Sequence, residues 1–162
     1  MLNHILIPLD GSLLAAKAID PTKQILKAGS KITLVSVIEI PNYWEFGVSP
    51  VVTFEQNEIT VDQLVKRASV YLECEAAKLR AEDFQVEVVV RCGDPATVIV
   101  EIASDHKVDA ISISTHGGSG FSRWLFGSVT GKVLSAAPCA VFVIPSREHS
   151  QVEHIAHSVA QN

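Results

Sequence analysis

Residues 109–128 read Asp-Ala-Ile-Ser-Ile-Ser-Thr-His-Gly-Gly-Ser-Gly-Phe-Ser-Arg-Trp-Leu-Phe-Gly-Ser. The first six form a strand-like run. The stretch from Ser128 to Ala137 that follows is helix-like. Between them lies a loop of small residues that delivers Gly127-Ser128 to the start of the helix. Such a junction is a physical anion site, because unpaired backbone N–H groups and the positive end of the helix dipole both face outward there. The pattern points to a nucleotide or another phosphorylated ligand.

The same strand-then-helix order recurs on either side. His4–Leu9 is an apolar strand, and Ser12 is placed to cap a helix running to about Ala28, with Gly29 as its C-cap. Pro21 should kink or split that helix, and Thr22 could cap its second part. Lys31–Ile40 is the second strand. The stretch from Pro41 to Thr53 has no period and reads as a loop. Thr53 with Gln56, and Thr60 with Gln63, have capping-box spacing. Leu64, Ala68, Tyr71, Leu72 and Leu79 then fall on one helical face. Phe84–Arg91 is a third strand, and Asp94-Pro95 is an N-cap followed by proline at the first helical position. Val98, Ile99, Ile102 and Ala103 supply that helix's buried stripe. A helix starting near Gly127 stops before Pro138, and Cys139–Ile144 is a fifth strand.

This alternation predicts an α/β fold: a single domain with a five-stranded parallel open sheet and helices on both faces. Near-continuous apolar strands agree, since parallel strands are buried on both sides. Ligands of such sheets sit beyond the carboxyl ends of the strands where strand order reverses, which makes Asp10 and the loop after strand four the expected walls. The domain is expected over 1–145, with 146–162 as a tail in which Val152, Ile155, Ala156 and Val159 would share a face if it is helical.

Size and charge narrow the function. A chain of 162 residues is one domain as a prior. Its net charge of −5 disfavours a nucleic-acid surface. No apolar run reaches the roughly 18 residues a membrane span needs, and the first ten residues lack a positive n-region. Cys74, Cys92 and Cys139 show no C-x-x-C spacing and read as free, buried thiols in a reducing, cytoplasmic setting. His149, His154 and His157 offer only an i, i+3 pair with no third ligand in view, so no metal site is expected there.

Taken together, Pro8-Leu9-Asp10, Ser36-Val37-Ile38, Gly93-Asp94-Pro95 and the 114–128 loop resemble the universal stress protein family, in its single-domain, nucleotide-binding branch. The family signature is Gly, two residues, Gly, nine residues, then Gly-Ser or Gly-Thr. Gly117, nine residues and Gly127-Ser128 match it, while Ser114 replaces the first glycine. The resemblance implies an adenine nucleotide alpha hydrolase-like sheet of order 3-2-1-4-5. It implies ATP or AMP bound by Pro8, Leu9, Asp10, Val37, Gly93, Ser114, His116, Gly117, Gly127, Ser128, Val129 and Thr130, with Mg²⁺ or Mn²⁺ accompanying a triphosphate. Phosphates would meet Ser128 and Thr130, and Asp10 and Val37 would line the adenosine.

The residues carry plainer readings beside these. Val37 is equally a core position, Asp10 a turn residue, and Gly93 and Pro95 simple turn formers. A Cβ at Ser114 crowds a ligand unless the torsions are strand-like. Gly131-Lys132 is no Walker A motif, because Phe126 and Val133 stand where glycine and Ser/Thr are required; Lys132 reads as a solvated helix residue. Trp124, Leu125 and Phe126 read as an apolar lid or packing patch. The resemblance also implies a homodimer paired through Cys139–Ile144. The competing function is a ligand-independent dimeric regulator or scaffold. An ATP hydrolase is disfavoured, with no Walker lysine or arginine finger in evidence.

Overall fold

The computed structural model describes residues 2–39, 52–54, 57–115 and 126–145. In chain order the elements are β1 (His4–Pro8), α1 (Leu13–Ala16), α2 (Ile19–Gln24), β2 (Lys31–Ile38), β3 (Val52–Phe54), β4 (Asn57–Ile59), α3 (Val61–Ala81), β5 (Gln85–Cys92), α4 (Pro95–Asp105), β6 (Ala110–Ser114), α5 (Ser128–Ala136) and β7 (Ala140–Ile144). Five strands form one sheet in the order β5-β2-β1-β6-β7, all pairs parallel. With these five strands numbered in chain order, that is the expected 3-2-1-4-5.

Period-two alternation divides β1 between two cores. Ile5 and Ile7 join Ile32, Leu34, Ala18, Leu72 and Leu79 under α1, α2 and α3. Leu6 joins Val35, Ile99, Ile102, Ile111 and Val133 under α4 and α5. Both faces are covered, so the strand can be apolar at consecutive positions without exposing any of them.

Local chemistry sets the helix ends. Ser12 Oγ accepts the Ala15 amide at 3.1 Å and starts α1. Thr60 and Gln63 form the expected capping box, with the Thr60 amide donating to Gln63 Oε1 at 3.0 Å and the Gln63 amide to Thr60 Oγ1 at 3.3 Å. The Asp94 carboxylate accepts the Thr97 amide at 3.0 Å and starts α4, with Pro95 at its first position. Leu72 and Leu79 of the expected α3 stripe are buried, as is Ala76, while Leu64, Ala68 and Tyr71 are half-buried. All four stripe residues expected of α4 are buried.

Several expectations are corrected. The first helix does split, but at Lys17–Ala18 rather than at Pro21. Pro21 is the third residue of α2, where a missing N–H costs nothing because first-turn amides have no intrahelical partner. Its ring would clash with the carbonyl four residues back, so the break comes before it. Thr22 is therefore inside α2, not at its cap. Its fully buried hydroxyl donates to the Ala18 carbonyl at 2.5 Å and meets the Ser112 hydroxyl at 2.6 Å, a polar join between α2 and β6. Gly29 is not the C-cap, which is Ile25; it takes φ +80° in the turn before β2. Strand two ends at Ile38, and strand three runs Gln85–Cys92. Thr53 caps no helix: it lies in β3, which pairs antiparallel with β4 in a small separate hairpin. Cys74 and Cys92 are exposed rather than buried, and Cys139 is partly buried; all three are free thiols. Most of the 41–53 loop and the whole of the 146–162 tail lie outside the described residues.

Candidate functional site

Strand order reverses at β1, whose crossovers lead to β2 on one side and eventually to β6 on the other. Beyond the carboxyl ends of these strands lies a cleft of about 380 Å³, within the range of small-molecule sites. Its floor and walls come from four places. Pro8, Leu9 and Asp10 follow β1; Val35, Val37 and Glu39 follow one face of β2; Ile113 and Ser114 end β6; and Gly127, Ser128, Val129 and Thr130 open α5. Pro95 and Ile99 of α4, and Ala15 of α1, complete the lining.

The β1 rim is fixed by backbone pairing and a turn. The Leu9 amide donates to the Val35 carbonyl at 2.7 Å, extending the β1–β2 pairing past Pro8. Asp10 Oδ1 accepts the Ser12 amide at 2.9 Å, and Gly11 between them takes φ +84°. That turn sends the chain into α1 and leaves Asp10 exposed at the rim.

The opposite wall is tied to the sheet at three points. The Thr115 amide donates to the Ile144 carbonyl, and the Gly127 amide to the Thr115 carbonyl, both at 2.9 Å. The Thr130 hydroxyl donates to the Ser114 carbonyl at 2.9 Å, with both residues 4% exposed. These bonds hold the first turn of α5 against the end of β6. Among the described residues no side chain caps that turn and no acidic residue stands in it. The first intrahelical bond there is from the Gly131 amide to the Gly127 carbonyl. The amides of Ser128, Val129 and Thr130 therefore precede the helical ladder, at the positive end of the dipole, in residues that line the cleft.

Of the expected site residues, the fold brings together Pro8, Leu9, Asp10, Val37, Ser114, Gly127, Ser128, Val129 and Thr130. His116 and Gly117 lie outside the described residues, as do Trp124 and Leu125, while Phe126 is exposed. Gly93 is not part of the lining. Its φ is +146°, a Cβ there would come 3.0 Å from Val98 Cγ2, and its amide donates to the Ile38 carbonyl at 3.0 Å. Glycine is needed there for the turn between β5 and α4. Ser114 is the last residue of β6, paired with Ile144, and is not among the residues with positive φ. Its torsions are those of a strand, which a Cβ tolerates.

Sequence reasoning missed Val35, Glu39, Ile99, Ile113 and Ala15 as lining residues. Two of these were within reach, since Val35 and Glu39 share a strand face with Val37 by period two. Lys132 lies on the exposed side of α5, and its ammonium meets Asp94 Oδ2 at 3.2 Å. The Thr97 amide and hydroxyl, with Lys132 adding to them, hold the Asp94 carboxyl below its ordinary range.

The sequence model of the Universal stress protein family matches residues 1–145. The chain belongs to the universal stress protein family. Among curated relatives, SH1215 of Staphylococcus haemolyticus is 30% identical over 148 residues, which cover 90% of this chain and 86% of that one. Universal stress protein YxiE of Bacillus subtilis is 25% identical over 147 residues, covering 89% and 99%. Among solved structures, that of the hypothetical protein MJ0577 superposes with a TM-score of 0.77 at 29% identity, covering 93% of this chain and 99% of its own. The fold is shared further afield with an Arabidopsis thaliana family protein solved with AMP bound (TM-score 0.61, 15% identity, 94% and 97% covered). It is also shared with a universal stress protein solved in complex with cAMP (TM-score 0.60, 19% identity, 90% and 98% covered).

Proposed function

We propose that this universal stress protein binds an adenine nucleotide, ATP or AMP, in the cleft between β1 and β6 and acts as a cytoplasmic stress-response regulator rather than as a hydrolase. The observation that carries the reading is the first turn of α5, which no side chain among the described residues caps, opening onto the cleft. The amides of Ser128, Val129 and Thr130 receive the phosphates, as helix N-termini do. The Asp10 carboxylate at the opposite rim accepts from a ribose hydroxyl, and Val37 packs against the base. His116 and Gly117 join from the loop. Ser114 supports the wall through its carbonyl, and Gly93 sets the turn before α4.

Two fold-mates have been solved with AMP or cAMP. At under 20% identity they share the fold with this chain, whose own cleft and α5 amides supply the support for a ligand. Among the described residues no cluster of three or more His, Cys, Asp or Glu side chains could hold a metal by itself. Mg²⁺ or Mn²⁺ therefore belongs to the proposal only as the companion of a triphosphate.

The proposed assembly is a homodimer paired through β7. That strand ends the sheet, and its residues Val141–Ile144 are half-buried in the single chain. An apolar edge of this kind calls for a cover. Among the described residues no helix is long and apolar enough to cross a membrane.

Calorimetry with ATP and AMP tests the ligand, together with mass spectrometry of small molecules released from freshly purified, denatured protein. Saturable heat and a released adenine nucleotide are expected. No heat and no thermal shift at millimolar ligand refute nucleotide binding, and a persisting dimer would then leave a ligand-independent scaffold. Light scattering of Ile144→Lys tests the edge: a halved mass is expected, and an unchanged mass rules out this interface.

A further inference from the structure

The amino-terminal edge of the sheet, opposite the cleft, carries a cluster that the proposed function does not use. His4 opens β1, the central strand, and is half-buried. Its Nε2 lies 2.8 Å from the hydroxyl of Thr33, which is fully buried in β2. Facing it is His106, the C-cap of α4, with ring centroids 6.5 Å apart. Glu87 of β5 lies beside them.

Both carboxylates near His4 are already committed. Glu87 Oε2 takes the Lys31 ammonium at 2.7 Å and sits 3.4 Å from His106 Nδ1. Asp109 Oδ2 accepts the amides of Asn3 at 2.7 Å and His4 at 2.9 Å. A proton on the half-buried His4 ring would therefore add a cation beside Lys31 and His106, opposed only by the Glu87 and Asp109 carboxylates, which already hold other partners. The Thr33 hydroxyl, able to donate or accept, serves either ring state but carries no charge.

We propose that this edge is a proton-sensitive brace, in which neutral His4 ties β1 to β2 and its protonation loosens the junction of β1, β2, β5 and the end of α4. The charge balance at His4 points the same way. Burial pushes its imidazole below the ordinary 6.5, with Lys31 and His106 adding to that push and Glu87 and Asp109 opposing it. A depressed imidazole means that the unfolded chain binds the proton first. The stabilising contribution is then whole above about pH 6.5 and is lost as pH falls through the depressed value.

The test needs no ligand, so its outcome is independent of nucleotide binding. Imidazole resonances of the unaltered protein are followed by NMR from about pH 8 to about pH 4.5, a range that brackets the ordinary histidine value. His4 is expected to titrate below 6.5, and His106→Gln is expected to raise its midpoint by removing a ring that opposes the charged form of His4. The thermal midpoint should fall with acidification, and His4→Gln, which keeps a neutral polar group, should flatten that fall. A His4 midpoint at or above 6.5, or an unchanged slope in a folded His4→Gln protein, overturns the brace. The wild-type titration decides the matter alone if the variants fail to fold.

Discussion

Replacing Thr130 with valine isolates the bond that fixes the first turn of α5 on the wall of the cleft. The Thr130 hydroxyl donates to the Ser114 carbonyl at 2.9 Å, and both residues are almost fully buried. Valine has nearly the same shape and a similar helix propensity, so neither a cavity nor a helix penalty enters. What is lost is the donor to a buried carbonyl, worth about 1–3 kcal/mol when the acceptor stays desolvated. For a chain of 162 residues, that corresponds to about 2–4 °C per kcal/mol, or a fall of about 2–12 °C in thermal midpoint. Urea unfolding monitored by circular dichroism gives the free energy, and calorimetry in the same preparation gives AMP affinity. Affinity should weaken as well, because the same bond holds the first turn of α5 against β6. A variant with unchanged midpoint and unchanged AMP affinity would show that the hydroxyl ties nothing together.

Thr60→Ala removes one half of the α3 capping box and should cost about 0.5–2 kcal/mol in urea unfolding, with AMP affinity unaltered; an equally stable variant argues against the cap. Ser114→Gly restores the residue of the family signature in a residue with strand torsions. Glycine there should destabilise by about 0.5–1 kcal/mol relative to a residue with a Cβ, without tightening nucleotide binding, and a clear gain in affinity by calorimetry would show that the serine crowds the ligand. The amides of Asn3 and His4 hold the Asp109 carboxyl below its ordinary 3.8. Its contribution is present above that value and lost as pH falls through the lowered one, so Asp109→Asn should flatten the acid limb of the stability curve, and an unchanged limb would assign acid sensitivity elsewhere.

Much of this fold was legible because its strands are buried on both faces. Runs such as Ile5-Leu6-Ile7 can only be apolar throughout if helices cover both sides, which makes the parallel sheet and its alternation visible together. The cap at Asp94-Pro95 and the box at Thr60/Gln63 were visible because they are local chemistry. The failures were positions decided by tertiary contact. Thr22 has the composition of a cap, but its hydroxyl meets Ser112, ninety residues away in sequence, and no local pattern announces that. Cys74 and Cys92 belong to a residue type that is usually buried, yet each falls on an exposed side of its element. Val35 and Glu39 are legible only through the strand period, which places them on the same face as Val37.

The site itself is best understood by comparing helix beginnings. At α1, α3 and α4, side chains of Ser12, Thr60 and Asp94 consume amides of the first turn, and those helices are finished structures. α5 begins at Gly127, which has no side chain to offer, and its first turn carries no acid to answer the dipole. An open amino end in solvent is satisfied by water and needs no ligand. Here it lies on the wall of a cleft floored by β1 and β2, where Ile113, Val35 and Val37 are apolar and a bound anion would displace that water. The glycine that offers this helix no cap of its own would, on the proposed function, also let a phosphate approach the backbone. A side chain able to cap at position 127 should close the site while stabilising the helix. Gly127→Ser is therefore expected to hold or raise the thermal midpoint and to lower AMP affinity. An equal affinity in that variant would separate the open helix end from the ligand.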